Sequence, residues 1–211
     1  MGLIMFEVLN DYGIEALHLK NCLSKEECEK IIECGKANPV QRRISYSQVA
    51  GGRYLESSGE VDIKSKETFD LLDKKTEQAA RIYLNKNELD SSPYNFVDEK
   101  EKMSFTIKTW KIGGAIGNHR DSYKYSDGTV VEPEISIIVY LTDDFIGGDL
   151  VLVHADDEID GHLINHNKDL DQIIKPLTGS MVVISSKVIH KVTPVISGIR
   201  ISVDRAIHLF E

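Results

Sequence analysis

The chain has little of what marks secreted, membrane-spanning or nucleic-acid-binding proteins. Its three cysteines, Cys22, Cys28 and Cys34, are an odd set with no Cys-x-x-Cys pair. They give no disulfide framework, zinc site or redox couple, and read as buried helix thiols. Basic residues are outnumbered: 25 Lys and Arg stand against 34 Asp and Glu, a net charge of −9, which argues against nonspecific nucleic-acid binding. No apolar run approaches the ~18 residues of a membrane span. Residues 1–6 carry no basic stretch ahead of an apolar core, so no signal peptide is expected. Phe6 stands where a myristoylation signal takes Ser or Thr. The expected compartment is the cytoplasm, with no nucleic-acid or membrane partner. Internal repeats, low-complexity tracts and strand–helix–strand alternation are also missing.

What is present is the balance of an ordinary globular protein, 41% apolar and 28% charged. A chain of 211 residues buries roughly 70% of its extended surface on folding, so one domain over residues 1–211 needs neither disulfides nor structural metals. Two helices are legible in the first half. Ser24-x-x-Glu27 is a capping box, opening a helix with Cys28, Ile31 and Ile32 on one face and Gly35 as its stop. A second helix follows Ser65, with Phe69, Leu72, Ala79, Ala80 and Tyr83 at the 3.6-residue period, and ends near 85–87.

From Met103 the period changes. Segments near 104–110, 135–142, 148–153, 181–186 and 199–207 are short, rich in Val, Ile and Thr, and separated by Gly, Asp and Asn. In one of them Ser136, Ile138, Tyr140 and Thr142 share a face, while Ile137, Val139 and Leu141 share the other. Helices followed by many short strands predict an α+β, mainly β fold. It is an antiparallel double-sheet barrel, core about 103–208, with N-terminal helical support over about 22–87 packed on one sheet. Residues 47–60, 122–133 and 154–172 read as mobile loops.

The chemistry concentrates at His119-Arg120-Asp121, with His190 and Arg200 downstream. Side chains two apart at a strand end point the same way, so His119 and Asp121 can grip one ion. A second imidazole from a neighbouring strand, His190, completes a two-His, one-carboxylate set, which suits non-haem Fe(II) with open positions for O2 and a co-substrate. A competing His-x-Asp, His154-Ala-Asp156, lies in a polar segment; with it, His162 and His166 offer an adventitious metal site. Arg200 and Ser202 share one face of a strand, with Ile199, Ile201 and Val203 toward the helices and Arg205 opposite. A guanidinium pointing into a barrel needs an anion, and a carboxylate fits its two-pronged fork.

Three stretches resemble the Fe(II)- and 2-oxoglutarate-dependent dioxygenases, in the prolyl 4-hydroxylase-like branch. They are Trp110-x-x-Gly113-Gly114-x-x-x-x-His119-x-Asp121, the string ISIIVYLTDDFIGGDLVL, and Gly179-Ser-Met-Val-Val-Ile followed by His190-x-Val192-x-Pro194-x-x-x-Gly198-x-Arg200. The resemblance implies a double-stranded β-helix, the jelly-roll or cupin-like barrel, with the helices on its major sheet. It implies that His119, Asp121 and His190 hold Fe(II). Arg200 would bind the distal carboxylate of 2-oxoglutarate, Tyr140 would hydrogen-bond it, and Trp110 and Ser202 would line its site. Phe145-Ile-Gly147-Gly148 resembles the family's turn before the next barrel strand, which implies a backbone role.

Departures are informative. Collagen-type relatives usually have Lys where Arg200 stands, Trp110 replaces a Tyr, and Ile116 replaces an aromatic. Asp121 is intact, which argues against halogenation. The implied reaction consumes O2 and 2-oxoglutarate, with ascorbate as a reductant, and hydroxylates an aliphatic C–H, first of all in a prolyl residue of a peptide or protein. A free amino acid or small metabolite is the alternative substrate, and a metal- or ligand-binding barrel without oxygenase chemistry is the alternative class. Arg53, Tyr54, Tyr123 and Tyr125 are candidate substrate contacts.

Overall fold

The computed structural model describes residues 6–11, 15–37, 59–88, 105–121, 123–124, 130–131, 134–159 and 162–207. The first strands are β1 (Glu7–Asp11) and β2 (Ala16–Lys20), followed by helix α1 (Lys25–Lys36), β3 (Gly59–Asp62) and helix α2 (Lys66–Lys86). The barrel half opens with β4 (Thr106–Trp110), β5 (Ile116–His119), β6 (Tyr123–Lys124), β7 (Val130–Val131) and β8 (Ile135–Tyr140). It continues with β9 (Ile146–Gly147), β10 (Leu150–Leu152), β11 (Asp157–Ile159), β12 (His162–Ile164) and β13 (Gln172–Ile174). The last strands are β14 (Met181–Ser185), β15 (His190–Val192), β16 (Val195–Ser197) and β17 (Arg200–Ile207).

A seven-stranded major sheet, ordered β1-β2-β14-β8-β17-β4-β3, faces a four-stranded minor sheet, ordered β13-β10-β15-β5. The ladders within both are antiparallel. Together they make the mainly β fold of a double-stranded β-helix backed by two helices.

The alternation of β8 decides which side is which. Ile137 and Val139 pack outward against α1 and α2 with Leu17, Leu19, Ile31, Leu72, Tyr83 and Val203. Ile138 and Tyr140 pack inward with Val182, Ile184 and the minor-sheet residues Leu150, Leu152 and Val192. Covered on both faces, β8 is buried at every position. Each fully buried Leu or Ile here contributes about 1.5–3 kcal/mol, so the helical layer is what fixes the major sheet as a rigid wall.

Helix α1 begins as its capping box predicts. Ser24 Oγ accepts from the Glu27 amide at 3.2 Å, and the Ser24 amide donates to the Glu27 carboxylate at 2.8 Å. Its end differs from expectation. Gly35 lies inside the helix, which runs to Lys36 with Ala37 as a right-handed C-cap. A Cβ on Gly35 would come within 2.8 Å of Ile107 Cδ1. That glycine serves the close approach of α1 to β4, and it is not a stop signal.

Three other expectations change. The segment 154–172 is not a loop: it forms the β11–β12 hairpin, a 3-10 turn at Lys168–Leu170 and the start of β13. Its polar side chains pair with one another, Asn165 with Asp156 at 2.6 Å and His166 with Asp171 at 3.0 Å, which is why composition alone reads as loop. The major sheet extends beyond 103–208, because β1, β2 and β3 come from the N-terminal part. Ile199 precedes β17 and is exposed, whereas Ile201 and Val203 face the helices. Of the other segments read as loops, 47–60 and 122–133 lie largely outside the described residues.

One buried group gives the fold a pH dependence. His18 sits inside β2, 1% exposed, with Nε2 3.0 Å from Ser180 Oγ. Burial pushes its imidazole down from the usual 6.5 to about 4. The unfolded chain therefore binds a proton that the folded chain refuses, so His18 favours folding above about pH 6.5 and opposes it as pH falls toward 4. Chemical denaturation of wild type and His18→Gln between pH 7 and 4 should show wild type losing on the order of 2 kcal/mol more than the variant. Parallel curves would mean that His18 titrates normally.

Candidate active site

The densest group of ionisable side chains stands where β5 and β15 pair at one end of the minor sheet. His190 lies directly across from His119, and the ladder slips between His190 and Val192, a bulge-type irregularity. His119 and Asp121, two residues apart, turn to the same side. Arg120 between them turns the other way, donating to Asp157 Oδ1 at 2.7 Å and to the Lys187 carbonyl at 3.1 Å. The ligand atoms of His119, Asp121 and His190 all lie within 4.8 Å of one another. Asp121 Oδ1 is 3.5 Å from His119 Nε2 and 3.7 Å from His190 Nε2, and the two rings are 4.3 Å apart.

Backbone carbonyls orient both rings. His119 Nδ1 faces the Gly117 carbonyl at 2.8 Å and His190 Nδ1 faces that of Val188 at 3.1 Å. Each Nδ1 is thereby turned to a carbonyl, and both Nε2 atoms face Asp121. Burial works to raise the Asp121 carboxyl, but the His119 hydrogen bond and the charges of His190 and His119 hold it well below the usual carboxylate range. Burial, with the charge of His119 next, pushes His190 down against the pull of Asp121. Burial works to lower His119 too, yet the hydrogen bond and charge of Asp121 leave it raised. One firm anion with two imidazole nitrogens is a donor set for a divalent cation, and it leaves the other coordination positions open.

A second feature lies across the barrel. Arg200 starts β17, is 2% exposed, and among the described residues makes no ion pair. Its guanidinium donates to Ser202 Oγ, at 3.2 Å, and lies 5.5 Å from the Trp110 ring and 5.3 Å from the Tyr140 ring. Arg200 Nε, Trp110 Nε1 and Tyr140 Oη are all buried with no hydrogen-bond partner. Three buried donors on neighbouring side chains, without an acceptor among the described residues, fit an anion with several oxygens, and a carboxylate is the simplest such group. Burial pushes the Tyr140 phenol up to about 12, with the Arg200 charge opposing, which keeps it a donor at neutral pH. Gly148, at φ +65°, lets the turn pass the arginine stem: a Cβ there would stand 3.0 Å from Arg200 Cδ.

The two features share one cavity of about 50 Å³, lined by Trp110, Ile116, His119, Asp121, Ser136, Ile138, His190, Val192 and Arg200 among others. Trp110, His119, Asp121, Tyr140, His190, Arg200 and Ser202, all read from the sequence, thus converge in one barrel. The second His-x-Asp does not join them. The His154 amide donates to Asp171, Asp156 accepts from Asn165, and His166 pairs with Asp171. His162 is not brought into a metal-binding group among the described residues. Arg53, Tyr54 and Tyr125 lie outside the described residues, and of Tyr123 only the backbone, in β6, is described. Sequence reasoning missed Lys108 and Asp204, an ion pair at 2.5 Å that lines the same cavity. Extending the face of Arg200 and Ser202 by two residues, and that of Trp110 backward by two, would have found both.

Residues 105–208 match the family model of the 2OG-Fe(II) oxygenase superfamily. A PKHD-type hydroxylase of Colwellia psychrerythraea is 30% identical over 103 residues, 48% of this chain and 40% of that protein. The chain therefore spans less than half of that relative. Among solved structures, a viral collagen prolyl hydroxylase from Paramecium Bursaria Chlorella virus-1, as its 2OG complex, superposes with a TM-score of 0.60 at 19% identity, covering 93% of this chain and 97% of that one. A Pseudomonas putida prolyl-4-hydroxylase gives 0.61 at 17% identity, over 93% and 94%. At these identities the likeness is one of fold.

An uncompensated buried cation makes a testable prediction. Arg200→Met should raise the unfolding free energy of the ligand-free protein by about 1 kcal/mol or more, because it removes a desolvated charge from an apolar surround. The same variant should lose the thermal stabilisation that millimolar 2-oxoglutarate with Mn(II) gives wild type. A destabilised ligand-free variant would show that Arg200 has a compensating partner.

Proposed function

We infer, from a barrel (residues 105–208) that belongs to the 2OG-Fe(II) oxygenase superfamily, that this protein is an Fe(II)- and 2-oxoglutarate-dependent dioxygenase. Its substrate on this reading is an aliphatic C–H of a prolyl residue in a peptide or protein. The observation that carries the reading is the buried, anion-less Arg200 in one cavity with the His119, Asp121 and His190 set. The prolyl assignment is supported by the PKHD-type hydroxylase relative and by the prolyl hydroxylases that share the fold.

His119, Asp121 and His190 would hold Fe(II), their donor set fitting that ion. When bound, Fe(II) and 2-oxoglutarate supply O2-dependent hydroxylation of an unactivated C–H, with succinate and CO2 as co-products. The chain's residues supply the geometry. Arg200, Tyr140 and Trp110 would donate to the far carboxylate of the co-substrate, and Ser202 fixes the guanidinium for that task. The Nδ1 bonds to Gly117 and Val188 keep both imidazoles aimed. Ile116, Ile138 and Val192 give the cavity apolar walls that exclude water. The same reading has the protein as one domain over residues 1–211, in the cytoplasm, with ascorbate as reductant.

Anaerobic addition of Fe(II) and 2-oxoglutarate should produce a weak metal-to-ligand absorption band in the green. His119→Ala should abolish it, and succinate release on a panel of proline-containing peptides and free amino acids should fall by more than ~100-fold, beyond the usual loss for groups that only orient ligands. Product mass gaining one oxygen atom, on peptides or on amino acids, decides between the two substrate classes. Tight Zn or Mn binding without succinate from any substrate would leave a binding barrel instead.

A further inference from the structure

We propose that Asp204, held in place by Lys108, binds the prime substrate by accepting a hydrogen bond from an N–H group: the backbone amide next to the oxidised residue in a peptide, or the amino group of a free amino acid. This rests on the oxygenase reading above. The Asp204 carboxylate lies inside the barrel and its two oxygens are treated differently. Oδ2 is paired with Lys108 Nζ at 2.5 Å, while Oδ1 is buried and has no hydrogen-bond partner. A desolvated carboxylate oxygen without a donor is unfavourable, so the site asks for a donor that the described residues do not provide.

The register shows where that donor must come from. Arg200, Ser202 and Asp204 alternate along one face of β17, with Trp110 opposite Arg200 and Lys108 opposite Ser202 on β4. At ~3.3 Å per residue, Asp204 stands roughly 13 Å along the strand from Arg200. A five-carbon dicarboxylate anchored at Arg200 spans only about 5 Å from first to last carbon at ~1.5 Å per bond. It also carries only acceptors at neutral pH, so it cannot satisfy Oδ1.

The nearby donors among the described residues do not reach Oδ1: the Ser136 hydroxyl, which lines the same cavity, has no hydrogen-bond partner either. The Nδ1 atoms of His119 and His190 face backbone carbonyls, and the unpartnered donors of Arg200, Trp110 and Tyr140 cluster at the far end. The prime substrate is the component left to supply it. Because Lys108 already balances the charge of Asp204, the donor need not be cationic. A peptide amide serves, and so does the amino group of a free amino acid. The two sources share the N–H and separate in the experiment.

The test uses the protein of 211 residues and the double variant Lys108→Met/Asp204→Leu, which removes both charges of the pair together. The substrate arms are N-acetylated proline-containing peptides and free amino acids. For the peptide that wild type hydroxylates, the analogue has the amide next to the oxidised residue replaced by an ester. For a free amino acid, the analogue is N,N-dimethylated. The double variant should melt no lower than wild type and keep the anaerobic Fe(II)–2-oxoglutarate band with an unchanged 2-oxoglutarate Kd. Its substrate KM should rise at least ~10-fold, the loss of one charge-assisted hydrogen bond. Removing the substrate N–H should cost wild type the same factor and cost the variant nothing further.

A double variant with wild-type KM, or an N–H-free analogue that wild type accepts as well as its parent, overturns the proposal while the oxygenase reading stands. Loss of the band in the double variant overturns it as well, because the pair would then serve metal or co-substrate. A wild-type protein that forms no band removes the oxygenase reading and the proposal with it.

Discussion

The arrangement of the barrel depends on a positive charge that, among the described residues, is buried without a counter-charge. Arg200 lies between the rings of Trp110 and Tyr140 and donates to Ser202. A cation over two aromatic rings gains on the order of 1–2 kcal/mol from each when desolvated. Removing a guanidinium from water costs several kcal/mol, so the rings offset part of the deficit and leave the rest. The ligand-free protein carries that remainder as an unfavourable internal interaction. A carboxylate bound there would relieve it, and part of its binding free energy would then be stored in the fold beforehand. This also explains why the surround is apolar: a more polar floor would stabilise the guanidinium and weaken its hold on an anion.

Two sheets divide the labour that follows. The major sheet carries Arg200 and the Lys108–Asp204 pair on its inner face, and α1 and α2 pin its outer face. The minor sheet carries His119 and His190 on neighbouring strands. A co-substrate bridging the metal-binding residues and Arg200 would therefore span the gap between sheets, and the packing of Leu150, Leu152 and Val192 against Ile138 and Tyr140 sets that gap. The helical layer is remote from the chemistry, yet it is coupled to it. Arg205, on the outer face of β17, is tied to Asp73 of α2 at 2.6 Å and packs on Phe105, so the strand that presents Arg200 inward is anchored from behind.

Much of this was legible because strand parity is a strict rule. It assigned both faces of β8, the shared side of His119 and Asp121, and the opposite orientations of Arg200 and Arg205. Helix capping was equally readable, since Ser24 and Glu27 interact locally. The failures have a common cause in tertiary contact. Gly35 carries a stop signal in sequence terms, but its selection comes from Ile107, far away in the chain. The polar segment 154–172 looks like loop because its strands are held by backbone pairing and by polar pairs such as His166–Asp171, which leave no apolar period to detect. The strands β1 and β2 are short, and only their partner β14 makes them part of the sheet.

The same distinction explains why one His-x-Asp is a metal-binding candidate and the other is not. Locally the two motifs are equivalent: each sets an imidazole and a carboxylate two residues apart. The difference lies in what the facing strand delivers. Across from His119 the register places His190, whereas Asp156 and His154 are met by Asn165 and Asp171. Register is a fragile quantity, because a slip of one residue turns every side chain of a strand to the other face. At β15 it is fixed by the neighbours: Leu152 sits opposite His190 and Leu150 opposite Val192, both inside the core. A slipped β15 would turn Val192 out of that core and His190 away from Asp121 together. The free energy that buries Val192 is thus the free energy that aims the second imidazole, and no separate interaction is needed to hold it there.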